Sequence, residues 1–345
     1  MRTETLKTNP KKPEPAKIRK AARLIRSGGL VAFPTETVYG LGADALNADA
    51  VKKIFVAKGR PSDNPLIIHI CNKEDLGTLA SNITPMAKKV IDRFWPGPLT
   101  IVLKKSRSVP KITTGGLDTV AVRMPKNKIA QELIRDAGVP IAAPSANYSG
   151  RPSPTAAEHV LEDMRGRIGL IIDGGRTKVG IESTVIDLTS DIPLLLRPGG
   201  VTVEELKKVI GRIRIHPVIR GKRSESVHRS PGMKYRHYSP DAQVILIEGT
   251  KAKMRKKTAY LVRDLRKRQK RVGVIAIVKA EYGADMERFV GADKERFAAV
   301  LFRTLREFDS KKADVILVQA IPKKGLGLGI MNRLEKAAAK KVRIR

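Results

Sequence analysis

PLIIHICNKEDLGTLASNITPMAKKVIDRFWPGPLTIVL (residues 65–103) contains two apolar stretches of strand length, 65–70 and 99–103, with a helix-like span at 84–94 between them. Strands that are apolar along their whole length are usually covered on both faces by other elements. The same rhythm continues on either side of this stretch and is typical of an α/β domain with a partly parallel sheet. Two successive strand-like stretches within 170–188 have no helix between them, so the predicted sheet is mixed.

Similar stretches recur through the first two thirds of the chain. The other strand-like stretches are LVAF (30–33), TVAVRM (119–124), PIAA (140–143), LIID (170–173), TVIDL (184–188) and LLL (194–196). The other helix-like spans are 48–57, 127–137, 155–165 and 202–210, where Thr155 and Thr202 are suitable caps. We predict a large twisted mixed sheet with flanking helices over 15–212, preceded by a basic tail at 1–14.

The periodicity is lost in IRIHPVIRGKRSESVHRSPGMKYRHYSP (213–240), which is rich in Arg, Ser and Pro and predicts a long linker. A smaller Rossmann-like α/β unit is predicted over 241–345. Its strand-like stretches are QVILIE (243–248), VGVIAIV (272–278) and ADVILVQA (313–320), and its helix-like spans lie near 292–308 and 328–341. GLGLG (325–329) could cradle an anion at the last helix, but we favour a tight turn.

The composition is typical of a globular protein, and the use of cysteine favours a reducing compartment. A chain of 345 residues has room for about two domains, and 41% hydrophobic residues allow each to bury a core. No apolar run reaches the roughly 18–20 residues of a membrane span, and no apolar segment follows the basic N-terminus as in a secretory signal. The single cysteine, Cys71, cannot form an internal disulfide. We therefore expect a cytoplasmic protein without a membrane partner.

The chain is strongly basic, with 68 Lys and Arg against 34 Asp and Glu, a formal charge of +34. Such an excess attracts polyanions such as ATP or tRNA; a generic basic surface without a specific partner is the alternative. Residues 251–271 hold eleven Lys or Arg and one acid, Asp264. Tyr260 is the one aromatic residue among them, so stacking on single-stranded bases is not predicted.

Four segments combine cations, hydroxyl groups and bend-prone backbone, as a nucleotide-phosphate site requires. They are PTETVYGLGADA (34–45), KGRPSDNPLIIHI (58–70), PIAAPSANYSGRPSPT (140–155) and SPGMKYRHYSP (230–240). The chain has no GxxxxGK[ST] motif, which excludes a P-loop. GLGADA fits GxGxxA but has no acidic ribose partner, so a dinucleotide fingerprint is disfavoured.

These segments resemble the two-domain threonylcarbamoyl-AMP synthases, whose N-terminal half is a YrdC-type domain. Further segments in the family's order are FWPGPLTIVL (94–103), VAVRMP (120–125), APSAN (143–147), ESTVID (182–187) and LLRPGG (195–200). The resemblance covers 15–240 and is looser over 241–345, where GLGLGIMNRLEKAA (325–338) is its best part. It implies a YrdC-like domain, a linker and a C-terminal Rossmann-like domain.

The resemblance implies an enzyme that joins L-threonine, bicarbonate and ATP into threonylcarbamoyl-AMP, with pyrophosphate and water as the other products. A downstream transferase then passes the threonylcarbamoyl group to tRNA, and a weak association with tRNA is expected. Mg²⁺ is expected because ATP carries it, and no organic cofactor is expected. One cysteine and five dispersed histidines do not predict a zinc site. An RNA-binding protein without catalysis and a carbamoyl-transfer module are the rival readings. The chain has no aromatic RNA-binding signature, which disfavours the first reading. It also has no zinc-cysteine segments of the kind expected beside a carbamoyl-transfer module, which disfavours the second.

The chemistry requires fixed positive charge and exclusion of water rather than a protein nucleophile. Lys58 and Arg60 are the candidate catalytic residues, acting electrostatically on the ATP phosphates. The candidate threonine-binding residues are Thr37, His69, Arg123, Ala143 and Ser183. The candidate ATP-binding residues are Lys58, Arg60, Ser62, Asn64, Thr119, Ser145, Asn147, Ser153, Arg197 and His237.

Several of these assignments have structural alternatives. Arg123 lies in an apolar strand, where an unpaired charge is costly; the threonine carboxylate or an internal salt bridge would resolve this. His69 by itself would be a core histidine. In the linker, His237 is predicted to reach ATP as part of a lid over 213–240, and packing between domains is the alternative.

Overall fold

The computed structural model describes residues 2–221 and 238–344, which fall into two compact units. The first unit comprises 2–149 and 153–221, and the second comprises 238–344 together with 150–152. Both are α/β, as predicted. The precise domain boundaries proposed from the sequence stay a prediction.

Within its described residues, the first unit is built on an eleven-stranded mixed sheet. Its strand order is β1-β8-β2-β3-β7-β4-β6-β5-β9-β10-β11, with both parallel and antiparallel pairs along it. The strands are β1 (Glu4–Lys7), β2 (Val31–Pro34), β3 (Tyr39–Asp44), β4 (Ile67–His69), β5 (Leu99–Lys104), β6 (Thr119–Arg123), β7 (Ile141–Ala142), β8 (Leu170–Asp173), β9 (Thr184–Asp187), β10 (Leu194–Arg197) and β11 (Arg214–Ile215).

Helices flank this sheet and bury one apolar side each. They are α1 (Pro15–Arg26), α2 (Ala48–Lys58), α3 (Leu76–Leu79), α4 (Pro85–Phe94), α5 (Lys128–Ala137), α6 (Ala157–Met164) and α7 (Val203–Ile210), and a short 3-10 helix follows at Pro217–Arg220. Ile18 and Ile25 of α1 and Leu133 of α5 belong to one buried cluster with Phe33 of β2. Packing in this cluster holds β2 in a defined position, and therefore also the turn that follows β2.

Helix starts follow the expected capping chemistry at most positions. Thr202 accepts from the backbone N–H of Glu205, whose carboxylate accepts from Thr202 in return, which forms a capping box. Thr155 was predicted as a cap, but α6 is capped at Ala156 without a side-chain bond. Instead, the backbone N–H of Thr155 donates to Nδ1 of His159 at 3.2 Å.

The structure agrees with the sequence interpretation at one segment of the first unit and differs from it at two others. GLGADA lies mostly in β3, paired antiparallel to β2, and does not form the strand-to-helix turn of the disfavoured dinucleotide site. Residues 4–7, assigned to a tail, form β1 and pair with β8 because the backbone of an edge strand needs no apolar signature. Residues 214–215, assigned to the linker, pair with β10.

The second unit has, within its described residues, a five-stranded parallel sheet of order β14-β13-β15-β12-β16. The strands are β12 (Gln243–Glu248), β13 (Val272–Ala276), β14 (Met286–Phe289), β15 (Val315–Gln319) and β16 (Lys340–Arg343), and the helices are α8 (Lys251–Lys267), α9 (Lys294–Ser310) and α10 (Leu326–Ala337). The parallel β/α order confirms the Rossmann-like prediction.

Helix α8 and the edge strands β14 and β16 of the second unit were not predicted from the sequence. Helix α8 was missed because its exposed cations mask the buried positions Met254, Thr258 and Val262. The last predicted helix extended too far, since 340–341 belong to β16. Gly325 has a φ of 58° directly before α10, which agrees with the tight-turn reading. No helix among the described residues is long and apolar enough to cross a membrane.

Candidate active site

Three of the four cation- and hydroxyl-bearing segments are brought together by backbone hydrogen bonds. The N–H of Leu41 donates to the Pro144 carbonyl at 2.8 Å, and the N–H of Ala146 donates to the Tyr39 carbonyl at 2.9 Å. The N–H of Tyr39 in turn donates to the Pro154 carbonyl at 2.9 Å. These bonds join segments 34–45 and 140–155, and the N–H of Ser149, which donates to the Lys58 carbonyl at 2.9 Å, adds segment 58–70. The fourth segment, 230–240, lies mostly outside the described residues, as does His237.

The turn between β2 and β3 presents a buried hydroxyl pair. Thr37 is fully buried, and its Oγ1 lies 2.8 Å from Oγ1 of Thr35. The backbone of this turn is held from outside, since Val179 N–H donates to the Glu36 carbonyl at 2.8 Å and Gly180 N–H donates to the Thr37 carbonyl at 3.1 Å. The turn is therefore a rigid support for its side chains.

His69 and Arg123 are direct neighbours in the parallel pair β4–β6, each at the last residue of its strand. His69 is 3% exposed, and its Nδ1 lies 3.2 Å from the Ile67 carbonyl. Burial, with a smaller contribution from the Arg123 charge, lowers the pKa of His69 to about 3. His69 is therefore a neutral hydrogen-bonding group at neutral pH. Ala143, also buried, donates its N–H to the Ile67 carbonyl.

Arg123 forms a buried ion pair with Glu36, with 2.9 Å between Nη2 and Oε1 and side-chain exposures of 4% and 9%. The internal salt-bridge alternative for Arg123 is thus observed; its contact with a threonine carboxylate stays a prediction. Among the described residues, however, neither Glu36 oxygen accepts a hydrogen bond and Nη2 donates none. The two atoms are close, but their contact does not have the geometry of a hydrogen bond. The guanidinium donates instead from Nε to the Gly97 carbonyl at 3.3 Å.

Ser183 lies at the centre of a second buried group. Its Oγ is 2.8 Å from Oγ1 of Thr100 and accepts from Nη2 of Arg197 at 3.1 Å. Arg197 also donates from Nε to the Ser183 carbonyl at 3.0 Å. Arg197, predicted as a phosphate clamp, therefore supports Ser183 directly. Its contact with ATP stays a prediction.

Lys58 is the last residue of α2 and is 2% exposed. Its Nζ donates to the carbonyls of Ser145 and Asn147 at 2.5 and 2.6 Å. The helix ends there because Gly59 adopts a φ of 58°. The Lys58 ammonium thus clamps the backbone of the loop that carries two predicted nucleotide contacts. This role was not foreseen from the sequence, which placed Lys58 on the phosphates.

The remaining candidates for ATP binding are less uniform. Arg60 donates from Nη2 to the carbonyls of Asn64 and Pro65, both at 3.1 Å, which closes the 60–65 turn. Asn64 is buried, and its Nδ2 has no hydrogen-bond partner within the described chain. Ser62 is exposed, and Thr119 begins β6, at the strand end opposite Arg123. No hydrogen bond among the described residues ties these two side chains to the others.

Ser145 and Ser153 each bond to a neighbouring polar side chain. Ser145 Oγ donates to Oδ1 of Asn147 at 2.6 Å. Ser153 is buried and donates to Oε1 of Glu182 at 2.5 Å. Glu36 and Thr100 were not singled out as ligand contacts from the sequence. Glu36 stood within the quoted PTET stretch, flanked by two hydroxyl residues, and that position was the available signal.

The described residues contain no cluster of three or more His, Cys, Asp or Glu side chains that could hold a metal ion. Carboxylates such as Glu36 and Glu182 could at most add single oxygen ligands to an ion that arrives with a phosphate substrate.

Known protein families match both units of the chain. A family model described as "Telomere recombination" matches residues 23–199, and one described as "Threonylcarbamoyl-AMP synthase, C-terminal domain" matches 201–339. A threonylcarbamoyl-AMP synthase of Pyrococcus abyssi is 56% identical over 326 residues, which is 94% of this chain and 95% of that protein. This chain belongs to the threonylcarbamoyl-AMP synthase family.

Other members of the threonylcarbamoyl-AMP synthase family extend the match to the whole chain. The Bacillus subtilis synthase is 48% identical over 346 residues, covering 99% of this chain and 96% of its own. The crystal structure of P. abyssi Sua5 complexed with L-threonine superimposes with a TM-score of 0.95 at 53% identity, covering all of both chains. The family resemblance and the two-domain fold class are thus confirmed.

Proposed function

We propose that this chain is a threonylcarbamoyl-AMP synthase, an enzyme that joins L-threonine, bicarbonate and ATP with release of pyrophosphate and water. The observation that carries this conclusion is the 48–56% identity to synthases over nearly the whole chain. The rival reading, an RNA-binding protein without catalysis, does not account for that similarity.

The threonine pocket is proposed at the ends of β4 and β6. Arg123 supplies a fixed charge for the carboxylate, and the Thr37 and Ser183 hydroxyls are buried groups that can donate to and accept from a polar ligand. His69 offers a hydrogen bond without adding charge, because its low pKa keeps the ring neutral. Ala143 supplies an apolar surface. A relative complexed with L-threonine supports this assignment of the substrate.

ATP is proposed to bind beside the loop 143–147. Lys58 holds this loop through two carbonyls and contributes positive potential. Asn64 has a buried amide N–H without a partner in the described chain, as a ligand contact would require. The Mg²⁺ is proposed to enter as part of Mg-ATP. Its charge would offset the repulsion between the phosphates and the threonine carbamate.

The reaction needs positioning and electrostatics rather than a covalent intermediate. The carbamate of threonine attacks the α-phosphate of ATP, pyrophosphate leaves, and the adenylate remains. Holding both reactants in a buried site converts a bimolecular encounter into a local one, worth roughly 7–11 kcal/mol in favourable cases. A separate transferase that delivers the product to tRNA is part of the same proposal.

The test is product formation from the three substrates. The full chain is incubated with Mg-ATP, L-threonine and labelled bicarbonate, and pyrophosphate and labelled adenylate are measured. We expect pyrophosphate release only when threonine and bicarbonate are both present. Release that is independent of either substrate would contradict the proposed function.

A further inference from the structure

Glu36 is a buried side chain whose carboxylate accepts no hydrogen bond from the residues that the structure describes. Its carboxylate lies 2.9 Å from Nη2 of Arg123, yet neither oxygen accepts a hydrogen bond within the described residues. We propose that Glu36 binds the ammonium group of the substrate amino acid while Arg123 binds its carboxylate. This inference rests on the proposed function and adds a specificity residue to it.

The state of Glu36 in this structure carries an energetic cost. A buried carboxylate without hydrogen bonds forgoes the compensation that such groups normally have. A carboxylate that served only to orient an arginine would be expected to accept its N–H groups directly, often two at once. Here the charges are adjacent, but Nη2 of Arg123 makes no hydrogen bond among the described residues and Nε donates to the Gly97 carbonyl. The ion pair is therefore incomplete as a purely structural contact.

A zwitterionic ligand can supply hydrogen-bond partners to Glu36 and to Arg123 at the same time. The ammonium and carboxylate of an α-amino acid are attached to one carbon, so one ligand can face two adjacent protein charges of opposite sign. The ammonium has three donors for the Glu36 oxygens. The ligand carboxylate accepts from the guanidinium, which has donors to spare at Nη2. One poorly aligned ion pair is thereby replaced by two hydrogen-bonded ones.

Glu36 is also held in place for such a role. Its backbone carbonyl accepts from Val179 N–H, and the next carbonyl, of Thr37, accepts from Gly180 N–H. The side chain of Thr37 is itself fixed by Thr35 at 2.8 Å. A charged group on a rigid turn loses little conformational entropy when a ligand binds. The amine reacts only after losing its proton, so the proposed role concerns recognition of the zwitterion before chemistry.

The experiment compares two ligands on two proteins. L-Threonine and 3-hydroxybutyrate of the same configuration at the hydroxyl carbon differ in the ammonium group alone. Their dissociation constants are measured by calorimetry on the full-length wild-type protein and on Glu36→Gln. We expect wild type to favour threonine by roughly 10- to 100-fold, the range of a hydrogen bond to a charged group, and the variant to lose most of that preference.

A general structural effect of the substitution predicts a different result. If Glu36 only orients Arg123, both ligands weaken by the same factor in Glu36→Gln and the preference for threonine persists, which overturns the proposal. Asp187→Asn is the matched control, because Asp187 is also buried in the first unit but is satisfied by Thr189. Its preference ratio should equal that of wild type.

The outcomes separate the two proposals. A wild-type protein that binds threonine, with an unchanged preference ratio in Glu36→Gln, contradicts this inference alone. A wild-type protein that does not bind threonine contradicts the proposed function and this inference with it. Thermal unfolding of each variant establishes that the folded protein is being titrated.

Discussion

The buried cations of the first unit and the exposed cations of α8 use the same residue types for different purposes. Lys58, Arg123 and Arg197 are at most 5% exposed, and each donates to a defined acceptor. The Lys and Arg side chains of α8 are mostly exposed on a helix that buries Met254, Thr258 and Val262. Charge in the first unit therefore fixes geometry, whereas charge on α8 contributes to a long-range field.

The largest expected effect is that of Lys58→Met, which removes the ammonium from the carbonyls of Ser145 and Asn147. We expect the free energy of unfolding to fall by about 3 kcal/mol, since hydrogen bonds to charged groups are lost in a buried site. Adenylate synthesis should fall by about 100-fold, because a small displacement of a positioning loop has that effect. Denaturant unfolding and the pyrophosphate assay measure the two quantities.

The control for this prediction lies in the same helix. Lys53 is exposed, and its Nζ donates to the single carbonyl of Gly28 at 2.7 Å. Lys53→Met should lower stability by no more than about 1 kcal/mol and leave synthesis unchanged. If the two variants were equally stable and equally active, burial of the cation would not account for the difference between the regions.

An intermediate effect is expected from His69, the buried neutral neighbour of Arg123. Its pKa is about 3 in the folded state, against an ordinary value near 6.5. Below pH 6.5 the unfolded chain takes up a proton that the folded protein does not, so stability falls as the pH falls from 6.5 towards 3. The stability difference between wild type and His69→Gln should shift by about 2 kcal/mol between pH 7.5 and pH 5, to the disadvantage of wild type. A difference independent of pH would show that His69 is accessible to protons in the folded state.

The smallest effect is expected for exposed cations of α8. Replacing Lys256, Arg263 and Lys267 by Gln should change the free energy of unfolding by at most about 0.5 kcal/mol per site and leave adenylate synthesis unchanged. Any association with tRNA should weaken and become less dependent on salt. Arg-to-Lys and Lys-to-Arg exchanges at these sites preserve the charge and are the control. Loss of synthesis in a folded Gln variant would instead give this helix a role in the reaction.

Some helices and strands could be predicted from the sequence, and others could not. Helices α4 and α7 were predicted within one residue of their observed bounds, because their apolar spacing and their Thr caps act locally. Strand β3 and helix α8 were not predicted. The first is rich in glycine, and the second is so basic that its apolar positions are obscured. Strand β3 forms because tertiary packing outweighs its weak local propensity, whereas α8 is rich in strong helix formers and lacked only a clear apolar pattern.

By itself, the sequence determined the α/β class, the parallel second unit and the set of segments from which the candidate site is built. These follow from hydrophobic periodicity and from residue types that carry charge and hydroxyl groups. Only the tertiary structure decided which partners those residues have. Glu36 meets Arg123, and Lys58 meets the carbonyls at 145 and 147, through strand register and loop path. Backbone carbonyls carry no signature in the sequence, and the register between distant strands is set by the packing of the whole sheet.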